Sequence, residues 1–153
     1  MSRARSDWRP TQIAGVPDGL ILFDGVCVLC SGWVRFIIER DRAGVFRFAP
    51  VQQAYGTGLA RRLGITVESP ETNAVVLGDR AYFKSDAAIA ALSRLPGWSW
   101  VGVFRVVPRS LRDRVYDQMA QRRYRWFGRM DQCLVPTPEL SRRFVLDEPT
   151  AAQ

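Results

Sequence analysis

The sequence predicts an α/β fold with the element order β-α-β-α-β-β-α, followed by a C-terminal helical extension. Three observations carry this expectation. A short apolar run at residues 19–23 stops at a turn and passes directly into a segment of helical periodicity. A second pair of the same kind follows, an apolar run at 45–49 and a helix closed by Gly64. Two more apolar runs are then separated only by Gly78-Asp79-Arg80, which marks an antiparallel hairpin, before an Ala-rich helix.

Taken in order, residues 1–18 carry Pro10, Gly15 and Pro17 among polar residues and are expected to be a flexible arm. Residues 19–23 form a buried strand. Beyond Cys27, the residues Cys30, Val34, Ile37 and Ile38 fall at i, i+4, i+7 and i+8, one face of a helix, with Leu29, Trp33 and Phe36 as a second apolar strip. Asp41 and Gly44 end that helix. Phe46 and Phe48 share one face of the second strand, and Pro50 opens the connection to the second helix. The third and fourth strands lie at 73–77 and 81–84. Ser85 suits the N-cap of the helix at 86–95, which Pro96-Gly97 stops. A parallel β-α-β half joined to an antiparallel β-β-α half is the thioredoxin-like arrangement. Residues 98–107 are expected to be at least partly helical. Pro108 starts a further helix whose face is marked by Leu111, Val115, Met119 and Arg122, and Thr137-Pro138-Glu139 starts a short last one. The expected organisation is an arm (1–18), a single domain (19–146) that includes the extension from about 98, and a frayed tail (147–153).

Composition narrows the function. The chain of 153 residues suits one domain with a sizeable core, and 47% hydrophobic with 24% charged residues is ordinary for a globular protein. The net charge of +7 comes almost wholly from Arg, Lys84 being the only Lys. Such a surface steers acidic partners or is simply solvated. The absence of His removes Cys/His hydrolysis, His acid-base catalysis and Cys/His zinc sites together. No apolar leader follows the Arg-rich start, and the longest apolar region, broken by Arg105, is too short to span a bilayer. A cytoplasmic protein with no transmembrane segment is expected. In a reducing compartment, two Cys in a CxxC mean a redox pair or half of a metal site.

That CxxC stands in Phe23-Asp24-Gly25-Val26-Cys27-Val28-Leu29-Cys30, at the strand-to-helix turn. The chain resembles the DCC-type thiol-disulfide oxidoreductases, a thioredoxin-like family named for an Asp-x-x-Cys-x-x-Cys motif, here Asp24, Cys27 and Cys30. The resemblance continues through FRFAPVQ, YFKSDAA, RDRVYD, RYRWFGR and CLVPTPEL, from Leu20 to Phe144. It implies a thioredoxin-like fold and activity of the protein-disulfide reductase type. One departure from thioredoxins proper stands out. Where they place a cis-Pro before the third strand, facing the dithiol, this chain has Thr72, with Pro70 nearby, which puts substrate docking by main-chain pairing in doubt.

The spacing suits the chemistry. Two Cys at i and i+3 across the first turn of a helix bring their Cα atoms within disulfide range. At the helix N-terminus, free N–H groups and the dipole favour the Cys27 thiolate over its usual pKa of about 8.5. Cys30, one turn in, is expected to be more buried and to keep its proton. Cys27 is thus the candidate nucleophile and Cys30 the resolving thiol. Asp24 is the third candidate catalytic residue, either relaying a proton or accepting N–H groups of the turn from Gly25 to Cys27. No cofactor is expected beyond the Cys27–Cys30 pair, and no metal site. The partners implied are a disulfide-containing protein or small molecule and a thiol electron donor. Nucleic acid is not expected. Three readings stay open at Cys133: a buried small hydrophobe, a second resolving thiol, or a metal ligand beside Cys27 and Cys30. Within RYRWFGR, Trp126 and Phe127 are expected to anchor the appendage on the core, to wall the substrate site, or to stack on single-stranded nucleic acid. The alternatives to an enzyme are a thioredoxin-like redox-sensing or binding module and a small metal- or nucleic-acid-binding protein.

Overall fold

The computed structural model describes residues 9–68, 70, 72–128 and 143–145. Five strands form one sheet in the order β1-β5-β4-β2-β3. They are β1 (Thr11–Gln12), β2 (Leu20–Phe23), β3 (Arg47–Pro50), β4 (Ala74–Leu77) and β5 (Arg80–Phe83). The helices are α1 (Val28–Arg40), α2 (Ala54–Leu63), α3 (Lys84–Ser93) and α4 (Arg109–Trp126), with a 3₁₀ segment at Ser99–Val106. The chain has the mixed α/β architecture expected of a thioredoxin-like fold.

The apolar run Leu20–Phe23 is buried at every position because it is the strand with helices on both faces. It pairs parallel with β3, Ile21 opposite Phe48, and antiparallel with β4, Ile21 opposite Val75. A parallel neighbour requires a crossover, which α1 supplies. Alternation along the strand then divides the core in two. Leu20 and Leu22 pack with Tyr55, Leu59 and Leu63 of α2, while Ile21 and Phe23 pack with Cys30, Val34 and Ile37 of α1 and Ala87 and Ala91 of α3. Both thiols therefore lie in the second cluster, between α1 and the sheet.

Several local signals act as expected. Gly64 caps α2 in the left-handed conformation at φ 77°. Asp41 closes α1 and accepts the N–H groups of Val45 and Phe46, fixing the entry to β3. Gly78 turns the β4–β5 hairpin at φ 64°. Residues 143–145 lie against β3, where the Val145 N–H donates to the Phe48 carbonyl and the Phe144 ring meets Phe23 and Phe48.

Three expectations are corrected. The arm is docked from residue 11 onward. Thr11–Gln12 pairs antiparallel with Ala81 and Arg80, Ile13 and Val16 pack on the core, and Asp18 accepts the Gly78 N–H. A polar stretch with two prolines still has main-chain donors and acceptors, and the edge of β5 offers partners for them. Ser85 is not the N-cap of α3. The helix starts two residues earlier than expected, at Lys84, whose φ of 52° turns the chain sharply, and Phe83 occupies the cap position. Its first N–H groups are met from outside, Lys84 by Thr72 Oγ1 and Ser85 by Asp113 of α4. Finally, α4 faces the domain with the other side. Leu111 and Val115 are 52% and 61% exposed, and Met119, 43% exposed, reaches the domain only as part of a cavity wall, whereas Arg123 is buried and Arg112 and Tyr116 are half-buried. Arg109 and Arg112 pair with Asp86, and Asp117 pairs with Lys84. The helix lies across the start of α3, where unsatisfied N–H groups and charges need partners, so polar side chains form its contact face. The expected last helix, the tail at 147–153 and Cys133 lie outside the described residues.

Candidate active site

The strand β2 delivers the chain to the turn at Asp24, and α1 carries it away. The Cys27 N–H donates to the Asp24 carbonyl, and Ser31 Oγ donates to the Gly25 carbonyl, which closes the turn under the helix. Cys27 holds extended dihedrals (φ −83°, ψ 124°) and is the N-cap of α1. Its Sγ accepts the Cys30 N–H at 3.3 Å, the bond that a Ser or Asp oxygen makes at other helix starts. A thiolate accepts this bond better than a thiol does, so the cap itself favours ionisation.

Electrostatics separate the two sulfurs. Cys27 is lowered to about 7, first by the hydrogen bond from the Cys30 side chain, then, against opposing burial, by the Cys30 N–H and the Arg123 charge. Asp24 acts in the opposite sense. Cys30 is raised, by the same hydrogen bond to Cys27 and by burial. Both effects favour its protonated form. Both sulfurs are buried. Cys27 has no exposed surface, while Cys30 is 8% exposed and forms part of a cavity wall.

Asp24 is fully buried at the head of the turn. Its Oδ1 accepts the Val26 N–H at 3.2 Å and Gln52 Nε2 at 2.7 Å, and Gln52 Oε1 in return accepts the Gly25 N–H. Its Oδ2 accepts the Tyr124 hydroxyl and Arg123 Nη2. Among the described residues, the Arg123 Nε is buried with no hydrogen-bond partner. The turn reading of Asp24 thus has its N–H at Val26, and the carboxylate also ties the turn to the connection after β3 and to the last turn of α4. Burial disfavours the Tyr124 hydroxyl's ionisation, and its bond to Asp24 adds to that effect.

A cavity of about 220 Å³ opens beside Cys30. Leu29 and Trp33 of α1, Val75 of β4, Ala87 and Ala88 of α3, and Tyr116, Met119 and Ala120 of α4 supply most of its wall. Thr72 and Asn73, just before β4, form another side, and Pro70 lines it too. No described peptide bond is cis. The Asn73 N–H donates to the Tyr116 hydroxyl at 3.1 Å, and the Asn73 carbonyl accepts Thr72 Oγ1. Burial, above all, pushes Tyr116 up to about 12, so its hydroxyl stays protonated.

The family model for DCC1-like thiol-disulfide oxidoreductases matches residues 21–129, most of the chain. The chain belongs to this family. It is similar to a protein of Bacillus subtilis (strain 168) called uncharacterized protein YuxK, 37% identical over 131 residues, covering 85% of this chain and 96% of that protein. It is also similar to the DCC family protein At1g52590, chloroplastic, of Arabidopsis thaliana, 35% identical over 116 residues, covering 74% of this chain and 67% of that one. No solved structure matches. Family membership suggests a redox role, and the two thiols of the family motif are neighbours in space.

Sequence reasoning missed Gln52, Arg123, Tyr124 and Tyr116 as site residues. The signal for Arg123 and Tyr124 is the RYRWFGR block, whose charged and hydroxyl side chains, rather than Trp126 and Phe127, reach the site. Trp126 is 58% exposed; Phe127, 44% exposed, lines an apolar hollow with Leu29 and Trp33 of α1, and Arg123 and Tyr124 tie the appendage to Asp24. The cation is the more informative partner there, because a buried carboxylate beside two thiols needs a counter-charge.

Proposed function

We propose that the protein is a thiol-disulfide oxidoreductase of the disulfide reductase type, working in a reducing compartment such as the cytoplasm. Cys27 is the nucleophile and Cys30 the resolving thiol. The observation that supports this best is the pairing of Cys27 Sγ with Cys30 at the N-cap of α1, by the Cys30 side chain first and its N–H second, which lowers the Cys27 thiol to about 7 while Cys30 keeps its proton. The Cys27 thiolate attacks a substrate disulfide, a Cys27–substrate bond forms, and one substrate thiolate leaves. Cys30 then gives its proton to that thiolate and attacks Cys27 Sγ, which releases the second thiolate and leaves the Cys27–Cys30 disulfide. A thiol donor reduces the pair again.

Asp24 takes a positioning role in this reading. Its hydrogen bonds among the described residues run to Val26, Gln52, Arg123 and Tyr124. Arg123 offsets the charge by which Asp24 would oppose the thiolate. The relay alternative predicts that Asp24→Asn changes the pH–rate profile while stability is kept. The positioning role predicts lower stability with the profile of the remaining activity unchanged.

Mass spectrometry of the Cys30→Ser variant, incubated with a disulfide, tests the assignment. A mixed disulfide should accumulate on Cys27, and Cys27→Ser should abolish turnover. Since Cys30 is the thiol on the cavity, an adduct on Cys30 in the Cys27→Ser protein, with turnover retained, would reverse the two roles.

A further inference from the structure

We infer that the dithiol exchanges with a small apolar molecule carrying a disulfide, seated in the cavity between α1, β4, α3 and α4, and not with an extended polypeptide. The inference rests on the oxidoreductase reading above and names its substrate class.

Two independent observations converge on it. The first is the state of the main chain facing the dithiol. A polypeptide substrate docks on a thioredoxin-like site by pairing with the backbone just before the third core strand, here Thr72 and Asn73. At Asn73 that backbone is already engaged. Tyr116 takes the Asn73 N–H, Thr72 Oγ1 donates to the Asn73 carbonyl, and the same Oγ1 accepts the Lys84 N–H at the start of α3. An incoming strand would have to displace a hydroxyl held on α4, in a place where an unmade bond is costly. The appendage that distinguishes this chain from a minimal thioredoxin therefore takes, at Asn73, a main-chain donor that a peptide would need.

The second observation is what lies beneath. The space between α4 and the dithiol is about 220 Å³, its walls mostly Leu29, Trp33, Val75, Ala87, Ala88 and Met119, with Cys30 among them. An apolar cavity of about 150 Å³ holds benzene, so this one admits a body somewhat larger than a single aromatic ring. Its burial there supplies affinity without any main-chain pairing. A disulfide attached to such a body arrives beside Cys30; Cys27 does not line the cavity, and its Sγ, bonded to the Cys30 N–H, must turn out of that bond to reach the substrate. Exchange then follows the proposed steps. The substrate disulfide gains two electrons and becomes a thiol and a thiolate, Cys27 and Cys30 become a disulfide, the Cys30 proton passes to the first leaving thiolate, and the second takes its proton from water.

The test compares three disulfides with dithiothreitol as donor: dibenzyl disulfide, bis(2-hydroxyethyl) disulfide, and a linear peptide closed by one disulfide. Each kcat/KM is divided by the rate constant of free dithiothreitol on the same compound, so that intrinsic reactivity cancels. Dibenzyl disulfide should exceed both others by about tenfold or more, the factor that burying a few methylene groups supplies. Filling the cavity with Ala88→Phe should remove most of that preference. Ala120→Phe is the second filling variant, should the first fail to fold as judged by circular dichroism. A peptide rate equal to or above the dibenzyl rate, or a preference that survives both fillings, overturns the substrate class and leaves the oxidoreductase reading standing. No turnover of any of the three overturns that reading and the inference with it.

Discussion

Arg123, in the last turn of α4, forms a buried ion pair with Asp24, at the head of the dithiol turn, Nη2 to Oδ2 at 3.4 Å. The two residues are 99 positions apart in the chain, and their side chains are 7% and 1% exposed. The pair fastens the C-terminal appendage to the element that holds both thiols. The appendage is thereby part of the site.

Breaking the pair from one side leaves a buried charge without its partner. Arg123→Ala should cost about 3–5 kcal/mol in urea unfolding, the range for such a loss. The double variant Asp24→Asn/Arg123→Met should recover much of that cost, because neither charge remains. A single-variant loss below about 1 kcal/mol would place the pair with solvent-exposed bridges.

The thiols should titrate in two separate steps. Thiolate absorbance should show Cys27 ionising near pH 7, with Cys30 protonated well beyond it. The leading cause at Cys27 is the hydrogen bond from the Cys30 side chain, so Cys30→Ala should raise the Cys27 midpoint and Cys30→Ser should raise it less. Stability follows from the same shifts. Cys27 is depressed from 9.0 to about 7, so between those values the unfolded chain binds one proton more and stability rises with pH. Above 9.0 the unfolded chain has lost the Cys30 proton that the folded protein keeps, and stability falls again. The pair's contribution therefore peaks near the ordinary thiol pKa. Its rise from the acid side is at most roughly 2–3 kcal/mol. The difference between wild type and Cys27→Ala/Cys30→Ala, measured by urea unfolding from pH 6 to 10, isolates it.

Gly56 and Gly58, two residues apart in α2, should respond oppositely to Ala. A Cβ on Gly56 would lie 1.9 Å from the Pro50 carbonyl oxygen, so α2 must move off the end of β3. Gly56→Ala should lose about 1–3 kcal/mol or more. A Cβ on Gly58 meets nothing within 4 Å, so Gly58→Ala should gain about 0.5–1 kcal/mol from helix propensity alone. Thermal midpoints moving in opposite directions verify the close approach.

Asp113 does for α3 what a local N-cap does elsewhere. It accepts the Ser85 N–H at 3.4 Å and the Ser85 hydroxyl, from a different helix. Asp113→Ala should cost about 0.5–2 kcal/mol, and Asp113→Asn, which keeps an acceptor, less. Equal losses for the two variants in urea unfolding would mean that charge, and not the cap bond, carries the effect.

The sequence by itself determined the strand Leu20–Phe23, the amphipathic helix after it, the Gly64 cap, the hairpin at Gly78-Asp79, and the placing of Cys27 and Cys30 on one helical turn. All of these rest on spacing within a few residues, and periodicity and turn chemistry record such spacing directly. Tertiary structure decided the rest. The apolar positions Leu111, Val115 and Met119 mark a face of α4, but which face meets the domain depended on the unsatisfied N–H groups at the start of α3. Ser85 has the composition of a cap, yet a carboxylate from α4 came to it. Asp24 was legible as an acid at the head of the motif. That Arg123 and Tyr124 would reach it, and that Tyr116 would take the Asn73 N–H, was not, because contacts between distant segments leave no spacing in the chain.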